Sequence, residues 1–195
     1  MNLRWQVVAC FLAVSVAIGA AEEKAKFDWK PPVVGAGVFS DKLGMIERER
    51  EEYATNLAGY ASNRVAAAKA SAASLNEARR LLALSLHLSS RNRKALVLNF
   101  QLSHGVVPEA EPDNYRPEVL AGLFFTRSQV LKEQGGAENL LLAKVFTELS
   151  AEMDPKNDDA VYASELQRLD QGGVDWSVLT DVKKQAKEPA EEGRP

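Results

Sequence analysis

Apolar residues recur every three or four positions through most of the chain between residues 45 and 171, which is the spacing of one face of an α-helix. Capping and breaking residues divide this stretch into separate helices. A Ser74-x-x-Glu77 capping box, Pro117 in a first turn and Gly135-Gly136 after a last turn mark three of the boundaries. The pattern predicts six helices, over residues 45–73, 75–89, 93–104, 117–134, 137–153 and 157–171.

Two runs inside this stretch also fit another structure. In Leu82–Leu88 and Leu96–Leu102 every second residue is apolar, which is typical of a strand as well. Runs this apolar form either buried helices or buried strands, and periodicity alone does not separate the two. The flanking Ala, Arg and Lys residues and the capping box favour helices. We therefore expect helices over residues 82–102, with buried strands as the alternative.

Composition supports an all-α fold. The chain has 28 Ala and 23 Leu, the strongest helix formers, but only two Ile and four Thr, which favour strands. Its length fits one domain.

The segments that flank the helices have different patterns. In residues 22–44, Pro31-Pro32, Gly35 and Gly37 interrupt any helix and predict an extended arm, whose aromatic residues pack along the domain. Residues 174–179 form a short apolar patch that predicts a docking turn. Residues 183–195 have no apolar face, so we expect a disordered tail. The helical-repeat domain then covers residues 45–182.

Residues 1–21 have the order of a signal peptide, in which Arg4 precedes an apolar run from Val7 to Ile18 and small residues follow. Cleavage is expected after Gly19 or after Ala21. The apolar run is short for a membrane span, which needs about 20 residues. Cys10 ends a lipoprotein-like Val-Val-Ala-Cys sequence, but too few apolar residues precede it for such a leader. If the leader remains uncleaved, it tethers the chain to a membrane.

Removal of the leader also removes the only cysteine and leaves an exported chain without disulfides or glycosylation sequons. Both features are ordinary in a bacterial envelope and favour a periplasmic or secreted location. Since Arg4 is the only charge in the leader, the rest of the chain carries a net charge of −4, which opposes nucleic-acid binding.

Two segments 65 residues apart share a pattern of small and polar residues. Ser85 and Ser150 correspond, as do Asn92 and Asn157. The further pairs are Ala78 with Ala143, Leu88 with Met153, and Ala95 with Ala160. The offset is close to two units of the roughly 34-residue period of tetratricopeptide repeats.

The chain resembles the tetratricopeptide-repeat family over roughly residues 75–171, and the second segment resembles it most. Ala143, Ser150, Asp154-Pro155 and Ala160 resemble the end of one unit and the start of the next, and Gln134-Gly135 resembles the turn inside a unit. The resemblance implies antiparallel helical hairpins stacked as a short array, whose concave face binds peptide segments of partner proteins. An unrelated helical bundle is the alternative.

No catalytic or metal-binding motif is present. His87 and His104, the only histidines, fall on different predicted helices without Cys or close acidic residues at ligand spacing. We expect no enzyme activity and no cofactor, although catalytic carboxylates leave no sequence signature, which keeps an envelope enzyme as an alternative.

Two groups of residues are candidates for partner binding. A basic cluster spans a predicted helix, a turn and the next helix, and it suits an acidic partner. Aromatic residues on the first helices of the pairs supply core residues and candidate anchors. The candidates are Arg79, Arg80, Arg91, Arg93 and Lys94 in the cluster, and Tyr53, Tyr60 and Phe124 among the aromatics.

These patterns together predict an exported helical-repeat adaptor that binds a protein or peptide partner in the bacterial envelope. Binding would bury apolar side chains in a groove between stacked helices. A membrane-tethered structural subunit and an envelope enzyme are the alternatives.

Overall fold

The structure, a computed structural model, describes residues 27–112, 114 and 116–182. The predicted leader and the predicted tail lie outside the described residues. Within these, the chain is all-α, with seven helices and no strand. The helices are α1 Glu47–Ala67, α2 Ala72–Leu88, α3 Arg93–Ser103, α4 Pro117–Gln134, α5 Ala137–Met153, α6 Asp158–Gln171 and the short α7 Ser177–Thr180.

Residues 82–102 are helical, in α2 and α3 around a short turn. Every residue from Leu81 to Leu88 is buried, because α1, α3, α7 and the N-terminal arm surround this part of α2. A helix that is covered on all sides is apolar all round. This burial explains the strand-like alternation of leucines.

Helix α1 ends earlier than the alanine-rich sequence predicts. Lys69 and Ala70 adopt positive φ angles of 49° and 54°, and the chain reverses there. Ser71 then caps α2, since its hydroxyl accepts a hydrogen bond from the Ser74 amide at 3.3 Å. The prediction that Ser74 caps this helix is wrong by three residues. Glu77, the other residue of the predicted capping box, forms an ion pair with Arg64 at 3.0 Å.

Helices α1 and α2 run antiparallel, and so do α4 and α5. The end of α1 meets the start of α2 through the Arg64–Glu77 ion pair, and the Ser85 hydroxyl donates to the Ala54 carbonyl at 2.7 Å. In the second pair, Thr147 donates to Ser128 at 3.1 Å, and Ser150 donates to the Ala121 carbonyl at 2.8 Å.

The 65-residue offset in the sequence has a structural counterpart. Ser85 in α2 and Ser150 in α5 are both fully buried, and each donates to a backbone carbonyl of the preceding helix, which is its pair partner, α1 and α4 respectively. Asn92 and Asn157 cap α3 and α6 by accepting from amides at 3.0 and 3.1 Å. These two pairs of residues make equivalent local contacts, and we refer to helices α1–α3 and α4–α6 as the two halves of the domain.

Aromatic side chains join the two halves. The ring of Tyr53 on α1 stacks on Phe146 of α5 at a centroid distance of 5.3 Å and contacts Phe124 of α4 at 5.6 Å. Arg80 of α2 forms an ion pair with Glu152 of α5 at 3.2 Å.

The two ends of the described chain meet beside α2. Val33 of the arm forms a parallel β-bridge with Asp181, in which the Val33 amide donates to the Thr180 carbonyl at 2.8 Å and the Val182 amide donates to the Val33 carbonyl at 2.9 Å. Leu179 is fully buried, so the apolar patch at 174–179 docks onto the core. The arm contributes its own core residues, among them Phe39 and Leu43.

Candidate functional site

The aromatic candidates lie largely in the core. Phe124 is fully buried, and Tyr53 is half-buried with its hydroxyl donating to the Leu123 carbonyl at 3.4 Å. Tyr60 is also half-buried and packs against the core. The structure thus gives these rings contacts inside the molecule.

Arg79 binds the N-terminal arm and the C-terminal segment of the described residues. Its guanidinium forms a two-pronged ion pair with the Asp181 carboxylate at 2.7 and 3.2 Å, and it also donates to the carbonyls of Lys30 and Thr180 at 3.0 and 3.2 Å. Hydrogen bonds from Arg79 and Thr180 lower the pKa of Asp181 to about 2. Arg79 therefore stabilises the chain-end junction.

Arg80 joins α2 to α5 and to the C-terminal segment. Besides its ion pair with Glu152, its guanidinium lies 4.9 Å from the centre of the Trp176 ring. The Trp176 indole donates to Glu148 of α5 at 2.8 Å, which holds the ring in place. Like Arg79, Arg80 has partners within the chain.

The remaining basic candidates surround the first turn of α3. Arg91 and Arg93 are exposed, and Lys94 lies 3.3 Å from the Glu111 carboxylate. The five cations of the predicted cluster therefore do not form one continuous surface. Their role in partner binding stays a prediction, which the geometry supports best for Arg93.

Arg93 and Lys94 lie at the edge of a groove of about 600 Å³ between α1, α3 and the loop at residues 105–111. Its apolar wall comes from Val97 and Leu98 on one side and from Val107 and Pro108 on the other. The lining also includes the acidic Glu51, Glu109 and Glu111. The groove thus combines an apolar wall with charges of both signs.

Hydrogen bonds hold α3 and the 105–111 loop, the two elements that line the groove, against α1. The Asn92 side chain, 1% exposed, accepts from the Ala95 amide at 3.0 Å and donates to Glu51 at 2.9 Å and to Thr55 at 2.8 Å. Asn63 of α1 exchanges two hydrogen bonds with the backbone of Glu111 at 2.8 and 2.9 Å. The sequence analysis did not predict this groove, because no local sequence pattern shows that the 105–111 loop packs against α1.

A second cavity, of about 1100 Å³, lies between the arm, the start of α1 and the end of α2. His87 is in its lining and is 3% exposed. Its Nδ1 accepts from the Val38 amide at 3.2 Å, and its Nε2 donates to the Leu179 carbonyl at 2.8 Å. Burial lowers the pKa of His87, and the hydrogen bond to Leu179 opposes this shift.

The other histidine stands apart from this cavity. His104 is exposed and stacks on Phe100 at a centroid distance of 4.0 Å. Within the part of the chain that the structure describes, no three His, Cys, Asp or Glu residues are placed to hold a metal ion. Among the helices of that same part, none has the length and apolar character needed to cross a bilayer.

No protein-family model matches the chain, and no curated protein or solved structure is significantly similar to it.

Proposed function

We propose that the chain is an exported adaptor whose two helical halves form a short tetratricopeptide-like array and bind a segment of a partner protein in the bacterial envelope. The antiparallel pairs α1–α2 and α4–α5, and the equivalence of Ser85 with Ser150, support the array. The signal-peptide pattern of residues 1–21 supports export. This proposal assigns no catalytic residue and no cofactor.

The groove between α1, α3 and the 105–111 loop carries the proposal. Val97 is 47% exposed at its wall, and Arg93 forms no ion pair with any residue that the structure describes. A bound segment gains most if it places an apolar side chain against Val97 and Val107 and a carboxylate beside Arg93. The occupant we infer is therefore an extended protein segment with an acidic residue close to an apolar one.

Site-specific photocrosslinking tests this assignment. A photoreactive amino acid replaces Gln101, which lines the groove, and a matched chain carries it at the exposed Lys156, outside the groove. In the native host, we expect one protein to be captured from position 101 and not from position 156. Equal capture from both positions would contradict the groove as the binding site.

Charge reversal then tests the predicted chemistry of the partner. Arg93→Glu places a carboxylate where the partner's acidic residue is expected, so capture from position 101 falls several-fold. Arg48→Glu, at an exposed arginine outside this groove, is the control and leaves capture unchanged. Undiminished capture with Arg93→Glu would contradict an acidic partner segment.

Export has its own test. Mass spectrometry of the chain expressed from Met1 is expected to find an N-terminus at Ala20 or Glu22. A mature chain that begins at Met1 would instead support the membrane-tethered alternative.

A further inference from the structure

Helix α6 turns its large apolar residues toward solvent. Tyr162, Leu166 and Leu169 follow one another at i, i+4 and i+7, and they are 68%, 41% and 73% exposed. The residues of α6 that are buried, toward α5, are the small Ala160 and the polar Gln167, whose amide donates to the Lys144 carbonyl at 3.0 Å. An amphipathic helix that only covers a core places its large apolar residues inward.

Helix α3, the counterpart of α6 in the first half, has a similar outward face. Leu96, Val97 and Phe100 are 46%, 47% and 64% exposed, whereas Ala95 and Leu98 are buried. The Phe100 ring is extended by its stack on His104. Each half thus ends in a helix with apolar residues in contact with solvent.

The two outward faces carry opposite charges. Arg93 begins α3 and Asp158 begins α6, and the two positions correspond under the 65-residue offset. The turn and helix at residues 91–103 hold three basic residues and no acidic one, whereas α6 holds four acidic residues and one arginine. Apolar surfaces with complementary charges associate more readily than like-charged ones.

The flanking sequences offer little to cover either face. Residues 22–26 and residues 183–195 contain no Val, Leu, Ile, Met or aromatic side chain. Neither of these two segments therefore offers a large apolar side chain that could cover the faces of α3 and α6.

We propose that the outward face of α6 docks onto the outward face of α3 in a second copy of this chain. The contact joins two different surfaces, and where it forms once between two copies it is heterologous, so that each dimer keeps one free face of each kind. Association therefore continues head to tail, into a closed ring or a filament, as the protein concentration rises. Val97 and Arg93 belong both to this face and to the groove, so the substitutions that test self-association are placed at Leu96 and Phe100, which do not line the groove.

Sedimentation of two variants tests the proposal. Tyr162→Gln with Leu169→Gln removes the α6 face, and Leu96→Gln with Phe100→Gln removes the α3 face; all four sites are exposed, and Gln is a good helix former. The full chain, expressed from Met1, is expected to show an average mass that rises about twofold or more with concentration. Each variant alone is expected to stay monomeric.

Mixing the two variants distinguishes a head-to-tail contact from a symmetric one. One variant keeps an intact α3 face and the other an intact α6 face, so the mixture is expected to form a one-to-one dimer and nothing larger. A mixture that stays monomeric, or an α3-face variant that associates as the unaltered chain does, would overturn the proposal. So would an unaltered chain that remains monomeric at every concentration.

A matched control separates a specific contact from general apolar association. Ile46→Gln with Val178→Gln removes two exposed apolar residues that lie outside both faces. This chain is expected to associate like the unaltered one, and its loss of association would overturn the assignment to α3 and α6. Far-ultraviolet circular dichroism checks that all variants keep their helix content.

Discussion

The Nε2 of His87 donates a hydrogen bond to the carbonyl oxygen of Leu179 at 2.8 Å, and through it a buried ring on α2 holds the C-terminal segment. The other ring nitrogen accepts from the Val38 amide in the arm. Both bonds require a neutral imidazole with its proton on Nε2, since Nδ1 must be free to accept. One side chain therefore connects the two ends of the described chain, provided that it is not protonated.

Stability is expected to depend on pH through His87. Burial lowers the pKa of the folded His87 below its ordinary value of 6.5, which the unfolded chain retains. As the pH falls through about 6.5, the unfolded chain binds a proton that the folded chain does not, so the free energy of unfolding decreases. The stabilisation is complete above that pH. Urea unfolding at about pH 7.5 and about pH 5.5 measures the difference.

Two variants identify the ring that is responsible. His87→Leu is expected to cost about 1–3 kcal/mol at neutral pH, because it leaves the Val38 amide and the Leu179 carbonyl without this partner, and to remove most of the pH dependence. His104→Gln changes the only other histidine, which is exposed, and retains the pH dependence. An unchanged pH dependence in His87→Leu would show that another group titrates.

The ion pair between Arg79 and Asp181 predicts a local effect at the chain ends. Asp181→Asn weakens the bonds that hold Asp181, so the backbone hydrogen bonds of its bridge with Val33 open more often. Amide exchange at Val33 and Val182 is expected to accelerate several-fold, while α5 amides keep their rates. Because the pKa of folded Asp181 is lowered to about 2, the unaltered chain loses the same protection only as the pH falls below about 4. Acceleration throughout the molecule would instead indicate global destabilisation.

The helices were predictable because the signals that form them are local. Pro117 and Gly135 bound α4 at the residues that the sequence indicates, and Asn157 caps α6 next to its predicted start. The end of α1 was missed, since Lys69 and Ala70 adopt positive φ angles that neither residue prefers intrinsically, and Ala70 is buried in the core. Tertiary contacts decided that boundary.

The roles of the basic residues were not predictable for a related reason. Arg79 lies 102 positions from Asp181 and Arg80 lies 72 positions from Glu152, and no periodicity connects residues so far apart. Both arginines have the sequence character of a solvated helix face. The return of the C-terminal segment to α2 gives Arg79 its partner Asp181, and α5 supplies Glu152 to Arg80, which leaves Arg93 as the candidate beside the groove.

The equivalence of Ser85 and Ser150 predicts similar costs for their removal. Each serine is fully buried and donates to a carbonyl of the neighbouring helix, so Ser85→Ala and Ser150→Ala are each expected to lower the free energy of unfolding by about 0.5–1.5 kcal/mol. Because they lie in different halves, the double variant is expected to lose the sum. Urea unfolding gives these values, and a large cost at one site with none at the other would contradict the equivalence of the two serines.

The caps Asn92 and Asn157 are expected to differ in what they contribute. Asn157→Ala removes one capping bond and costs about 0.5–2 kcal/mol. Asn92→Ala removes a cap together with the bonds to Glu51 and Thr55, so its cost is expected to be larger.

Asn92→Asp keeps the capping oxygen but brings a carboxylate beside Glu51, and like charges at this distance repel each other. Compared with the unaltered chain, this variant is therefore expected to lose less stability at about pH 4 than at neutral pH. Asn157→Asp places a capping carboxylate at a helix N-terminus and is expected to leave the free energy of unfolding nearly unchanged. Thermal unfolding of the four variants makes the comparison, and equal losses in both alanine variants would show that Asn92 does not hold α1 against α3.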